Sequence, residues 1–198
     1  NVSPKKNAGD RLEKGAAYGK QTATGDADAA SEWHSFRHDN NRSCRTTSDT
    51  PTKLGAAWSK RVGGTPTPPV IAGNRVFVAV ADRCRVLCLD AVSGDEAWSI
   101  TVNGPVDTPP TYAHGRAVFG THGGSVYCVD STDGSTIWRF DAAPYDLHNV
   151  AFDRVESLWP VNGSVLVLDG KVYCVAGRSM HLDSGLYMYA LDLKTGKV

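Results

Sequence analysis

Two stretches of the chain concentrate groups that can move protons or hold anions. DAAPYDLHNVAFDRVESLW (141–159) carries His148, Asp153, Arg154 and Glu156, and GRSMHLDSGLY (177–187) carries Arg178, His181 and Asp183. An imidazole beside a carboxylate is the raw material of general acid–base catalysis, and a guanidinium holds a substrate carboxylate in a fixed fork. One reading of the set is therefore a hydrolase or polysaccharide lyase. The same residues also make ordinary loop charges and surface ion pairs, which carry little energy each. A third reading is recognition without chemistry: Trp159, Tyr145, Phe152 and Arg178 are the residue types that anchor a protein or glycan ligand. Trp159 stands before Pro160, where it serves equally as a packing residue at the start of a strand. His34, His38, His114 and His122 are scattered without metal-ligand spacing, and no C-x-x-C occurs, so no metal site is expected.

What positions these loops is a repeat. VLCLDAVSGDEAWSI (86–100) and VYCVDSTDGSTIWRF (126–140) match in register. Trp58, Trp98 and Trp138 recur at one interval, as do Asp90 with Asp130, Gly94 with Gly134, and Cys88 with Cys128. Self-similarity at such a period marks a stacked or radial array of small units. Each unit runs from a Pro-Pro corner into a short strand (VIA; TYA), a Gly turn, a β-rich run (RVFVAV; RAVFGT), a strand ending at Asp90 or Asp130, and a polar turn into the Trp strand. No helical period competes.

Four short antiparallel strands have a face that one unit cannot bury, and stacking units radially buries it. The repeated Trp is expected to fill the space between neighbouring sheets rather than to bind a ligand. Asp90 and Asp130 are expected to bond backbone N–H groups two residues on, and Gly94 and Gly134 to supply positive φ.

A third, swollen unit follows. NGSVLVLDGKVYCVAG reads as its second and third strands, and MYALDLKTG places Asp192 and Gly196 in the positions of Asp130 and Gly134. The extra length falls in 141–159 and 177–187, which places both insertions at one face of the array, where function often resides.

LDAVSGDEAW, VDSTDGSTIW and LDLKTGKV resemble the A-x-D-x-x-T-G-x-x-x-W tryptophan-docking repeat of the pyrroloquinoline-quinone (PQQ) type β-propellers. That family includes quinoprotein alcohol dehydrogenases and the outer-membrane assembly lipoprotein BamB. The segment VESLWPVNGSVLVLDGKVYCVAGRS also resembles blades of large bacterial multidomain PQQ-like repeat proteins. The resemblance covers 58–198 and implies an all-β propeller of four-stranded blades, with about three of a usual seven or eight. The remaining blades are expected from another chain, a missing C-terminal part or self-association. As an enzyme, the family implies PQQ and calcium, held by adjacent cysteines, a Trp platform, and Glu, Asn and Asp. The chain has no Cys-Cys pair and no C-x-x-C-H, so no cofactor is expected and PQQ with calcium stands as the alternative. The resemblance further implies a periplasmic or otherwise extracytoplasmic place in a bacterium.

Composition narrows the rest. Lys plus Arg and Asp plus Glu both number 21, and this balance argues against a nucleic-acid footprint. No apolar run reaches membrane-spanning length. Residues 1–31, rich in Gly, Ala, Lys, Asp and Thr, are expected to form a flexible linker or tail, in which RLEKGAAYG shows no periodicity. Residues 32–57 are expected to form an arm that packs Trp33 and Phe36 on a neighbouring core, ahead of blades from 58 to 198. The five cysteines read as buried free thiols, with one or more disulfides as the alternative. The reading is thus a non-catalytic PQQ-like propeller that binds a protein or glycan within a larger bacterial protein, against an enzyme on the same scaffold.

Overall fold

In the computed structural model, which describes residues 11–22, 32–49, 51–151 and 153–198, the β-branched runs all become strands. The first sheet is a meander of β2 (Val70–Ala72), β3 (Arg75–Val80), β4 (Arg85–Asp90) and β5 (Glu96–Thr101). The middle sheet repeats it with β6 (Thr111–Ala113), β7 (Arg116–Gly120), β8 (Ser125–Asp130) and β9 (Thr136–Asp141). The third holds β12 (Leu166–Leu168), β13 (Lys171–Ala176) and β14 (Tyr187–Asp192). NGSVLVLDGKVYCVAG therefore supplies the first and second strands of its unit, one place earlier than its sequence reading. The two-residue turn after each first strand explains the shift: Gly73-Asn74, His114-Gly115 and Asp169-Gly170 all have positive φ at both positions. That is the hairpin turn whose twist suits right-twisted strands. Asp169-Gly170 thus marks the first hairpin of the third blade.

Both faces of the first and middle sheets are covered, which is why their central strands read as unbroken apolar runs. Along β3, Phe77 and Ala79 pack toward the middle sheet with Trp98, Tyr112, Phe119 and Val129. Val76, Val78 and Val80 point the other way and lie under Trp58 and Val62. On the middle sheet, Val118, Val126 and Trp138 pack instead against Val167, Val172, Cys174 and Leu191 of the third. Among the described residues the three blades form no closed ring.

Neighbouring blades are joined by one repeated contact. The indole N–H groups of Trp58, Trp98 and Trp138 donate to the carbonyls of Ala91, Ser131 and Leu193, at 3.0, 2.9 and 2.9 Å. Each indole lies flat on the next blade's turn glycine. A Cβ added to Gly94, Gly134 or Gly196 would sit 2.6, 2.8 or 2.7 Å from the ring of the preceding Trp. All three glycines have positive φ, +74°, +74° and +67°. The turn is built by its aspartate: Asp90, Asp130 and Asp192 accept from the amides of Val92, Thr132 and Lys194. Amide bonds from Ser93 and Val92 hold the Asp90 carboxyl below its ordinary pKa, and the Thr195 hydroxyl and amide do the same for Asp192.

Within the arm Trp33 meets His38 edge-on and Phe36 lies beneath Arg37 and Arg42, while hydrogen bonds tie the arm to the blades. Trp33 exchanges both backbone bonds with Ile71 on β2, the carbonyl of His34 accepts from Tyr112 on β6, and Asn40 donates to Val167 on β12. It therefore crosses the first strand of every blade, on the side where β2, β6 and β12 approach one another. Residues 1–10 and 23–31 of the expected tail lie outside the described residues. Within the rest, Leu12–Lys14 forms β1, a fifth strand on the outer edge of β9.

Meander parity sorts the connections. First-to-second and third-to-fourth turns lie at one end of the blades, with the tryptophan-bearing glycine turns. Second-to-third and blade-to-blade connections lie at the other. Both insertions fall at this second end, with the loops 102–110 and 121–124.

Candidate functional site

The first insertion folds as a hairpin, β10 (His148–Ala151) and β11 (Arg154–Ser157), pairing Val150 with Val155 and Asn149 with Glu156. A lone two-stranded hairpin is marginal in water, and this one is pinned at its root. The Ser157 amide donates to the carbonyl of His122 on the adjacent loop, at 2.9 Å, and the Leu158 amide donates to Leu147. Side chains complete the anchor. His122 lies between two carboxylates, with Nδ1 2.8 Å from Glu156 and Nε2 2.7 Å from Asp107. Arg154 Nη1 reaches the other oxygen of Asp107 at 3.4 Å. Glu156 is buried and His122 nearly so.

Donor counting fixes what this row can do. Ionised carboxylates only accept, and a neutral imidazole has one N–H, so full pairing of His122 requires a second shared proton. Neither ring nitrogen is open to a substrate. A general base must reach the proton it abstracts, and here both positions are spent on holding Glu156 and Asp107. The row is a strut between a blade loop, an interblade loop and the hairpin.

The second insertion is held the same way. Trp159 Nε1 donates to the carbonyl of Asp183 at 2.7 Å, and the Asp183 carboxylate accepts from Arg178 at 2.5 Å. Trp159 is buried in the core with Val161 and Tyr145 alongside, and so lies inside the blade junction rather than on the surface. Among the sequence-singled residues, Arg154 with Glu156, and Trp159 with Arg178 and Asp183, are brought together. His181 stands apart in an exposed loop, its amide bonded to Ser179. His148 pairs with Asp146 at 3.5 Å on the rim of a polar cleft of about 270 Å³, which Asn103, Arg139 and Asp141 also line. Phe152 lies outside the described residues.

His122 and Asp107 are the participants that spacing along the chain did not reveal. Strand parity would have found them: the loops GTHGGS and NGPVDTPP open at the same end of the blades as the 141–159 insertion.

Beside the exposed Asp146, His148, Asp153 and His181, the two insertions leave large apolar side chains exposed. Val150 is 74% exposed and its partner Val155 66%; Met180, Leu182 and Leu186 are 74%, 55% and 44%. Among the described residues no group of three or more His, Cys, Asp or Glu side chains is arranged to hold a metal ion, and the arm covers the first-strand side of the blades.

The profile of the family described as Outer membrane protein assembly factor BamB matches residues 33–198, the arm and all three blades. The chain belongs to the BamB family. The BamB of Moranella endobia (strain PCIT) is 30% identical over 66 residues, which are 33% of this chain and 17% of that protein. Among solved structures, a europium-containing methanol dehydrogenase matches with a TM-score of 0.67 at 18% identity, over 86% of this chain and 31% of that one. The quinohemoprotein alcohol dehydrogenase ADHIIG of Pseudomonas putida HK5 matches at 0.63 and 19%, over 85% and 26%. At these identities the structures share the fold, a PQQ-type β-propeller. The chain spans less than a third of the length of each of these relatives.

Proposed function

We propose that this section of a BamB-type propeller is a non-catalytic scaffold that binds a protein partner at the end of the blades bearing the two insertions. One observation carries the reading: five large apolar side chains stand exposed on the two insertions, while Asp107, His122 and Glu156, and Arg178 with Asp183, are engaged in pinning those insertions. Exposed apolar area gathered in one place marks an interaction surface. The family's printed role, assembly of outer membrane proteins, supports a protein as the ligand and an extracytoplasmic, outer-membrane-associated location. Among the described residues no helix is long and apolar enough to cross a membrane.

The three buried thiols are compatible with an oxidising compartment. All five cysteines are free; Cys88, Cys128 and Cys174 are buried. Burial pushes Cys88 up to about 11 and Cys174 up to about 12, and raises Cys128 further. The thiolate is the reactive form, so these three offer little to oxidants.

Val92 provides an internal control, because it is also 74% exposed but lies in a glycine turn at the opposite end. A photo-crosslinking side chain placed at Val150 or Met180 of the full-length protein in its native envelope is expected to yield a discrete protein adduct. The same group at Val92 is expected to yield none. The pair Val150→Glu and Val155→Glu should abolish capture without shifting the melting temperature. Equal adducts from both ends, or none from either, would refute the proposal.

A further inference from the structure

Residues 11–22 (RLEKGAAYGKQT) lie outside the repeat, yet they are bound as a peptide ligand is bound. β1 adds antiparallel to the outer edge of β9, pairing Leu12 with Phe140, Glu13 with Arg139 and Lys14 with Trp138. The ladder extends on both sides: the Asp141 amide donates to Arg11, and the amides of Gly15 and Ala17 donate to Ile137 and Thr136, at 2.9–3.0 Å. Strand addition of this kind takes affinity from the main chain and specificity from side-chain pockets.

Three pockets are visible. The Arg11 guanidinium donates to the carbonyls of Asp141 and Ala142, each at 2.7 Å, and to the Tyr189 hydroxyl at 3.0 Å. It also lies over two rings, 4.9 Å from the centroid of Phe140 and 5.0 Å from that of Tyr189. Guanidinium combines planar donors with affinity for ring faces, and a lysine ammonium would reproduce neither the fork nor the stacking. Leu12 reaches the Trp138–Gly196 contact itself. Gly15 passes so close to β9 that a Cβ would meet the Thr136 carbonyl oxygen at 2.1 Å, so only glycine fits. Ala17 then buries its methyl in the junction of the middle and third blades.

We propose that the outer edge of β9, with the flank of β14, is a strand-addition site for extended segments of a partner protein, of the form Arg-Leu-x-x-Gly-x-Ala. Residues 11–22 are its internal occupant. The site runs along a blade edge, meets the first insertion only at its start through Asp141 and Ala142, and reads backbone and arginine with Leu12 and Ala17 as small apolar contacts. An occupant carried on the same chain competes at a high effective concentration, of the order of millimolar. A partner segment therefore binds the intact protein only when it displaces residues 11–22.

Gly15→Val in the full chain should expel the internal segment while leaving the site's own residues unchanged. A fluorescent peptide of sequence RLEKGAAYGKQT, followed by anisotropy, is expected to bind this variant at least tenfold more tightly than it binds the wild type. A peptide with Arg11→Ala should lose at least tenfold in affinity for the variant. Equal, weak binding to both proteins by a variant that retains the wild-type melting transition would overturn the proposal. A second arm covers a variant that fails to fold. In the full chain with a protease site inserted after Gly25, the cut segment should stay bound on gel filtration and exchange with labelled peptide. A cut segment that never exchanges would show an integral strand and would likewise overturn the proposal.

Discussion

Trp138→Ala is expected to lower stability by about 4 kcal/mol, the usual cost of emptying the site of a buried large aromatic. Trp138 is fully buried, donates to Leu193, and rests on Gly196 between the middle and third blades. For a chain of this length that loss corresponds to roughly 10 °C in melting temperature. Trp58 makes the same bond to Ala91, but it lies in a segment outside the sheets and is only half-buried. Trp58→Ala should therefore cost about 1–2 kcal/mol, since less area leaves water there. Thermal and denaturant melts of the two variants check the ordering. Equal losses would mean that the indoles are not the joints between blades.

Gly134→Ala is the second large effect, and it works from the other side of the same contact. At φ +74° an L residue costs about 1–2 kcal/mol. The added methyl must also displace the Trp98 ring, which stands 2.8 Å from where that carbon would lie, and overpacking of this kind costs a further 1–3 kcal/mol or so. The total is about 3 kcal/mol. Gly170 separates the two contributions, because its φ is +72° but nothing lies within 4 Å of its would-be Cβ. Gly170→Ala should show the backbone cost alone. In a Trp98→Ala background Gly134→Ala should fall to that same smaller value, since removing one of two touching groups removes their coupling. Denaturant titration of the four proteins gives the cycle, and strict additivity would contradict the contact.

The blades were legible because their determinants are local and repeated. Asp90 caps its own turn, Gly94 supplies a φ that few residues adopt, and the Trp recurs where each fourth strand begins, so fifteen residues carry one complete instruction. The third blade was displaced by one strand because Asp169-Gly170, a decisive turn signal, sits in a unit stretched by insertions. β1 was invisible for a different reason. RLEKGAAYG has no apolar alternation; it is held by backbone bonds, one guanidinium and the absence of a side chain at Gly15, none of which has a periodic signature. The His122 strut was hidden because Asp107, His122 and Glu156 belong to three separate connections. Only the rule that alternate connections share an end of a meander brings them together.

Trp159 shows the limit of residue type as a guide. An aromatic beside an arginine and an aspartate reads as a binding anchor, yet here the indole N–H is used to fasten the 177–187 loop from beneath. Met180 and Leu182 of the fastened loop stand exposed, as do Val150 and Val155 on the hairpin.

The most direct test of the blade-joint account needs no substitution. Indole N–H groups that are buried and bonded to a carbonyl exchange with solvent only when the junction opens. By NMR in D2O, the Trp98 and Trp138 indole protons should persist far longer than the amides of the exposed 45–49 segment, with Trp138 the slowest. Loss of both signals at the rate of that segment would mean that the blades are not joined through their tryptophans.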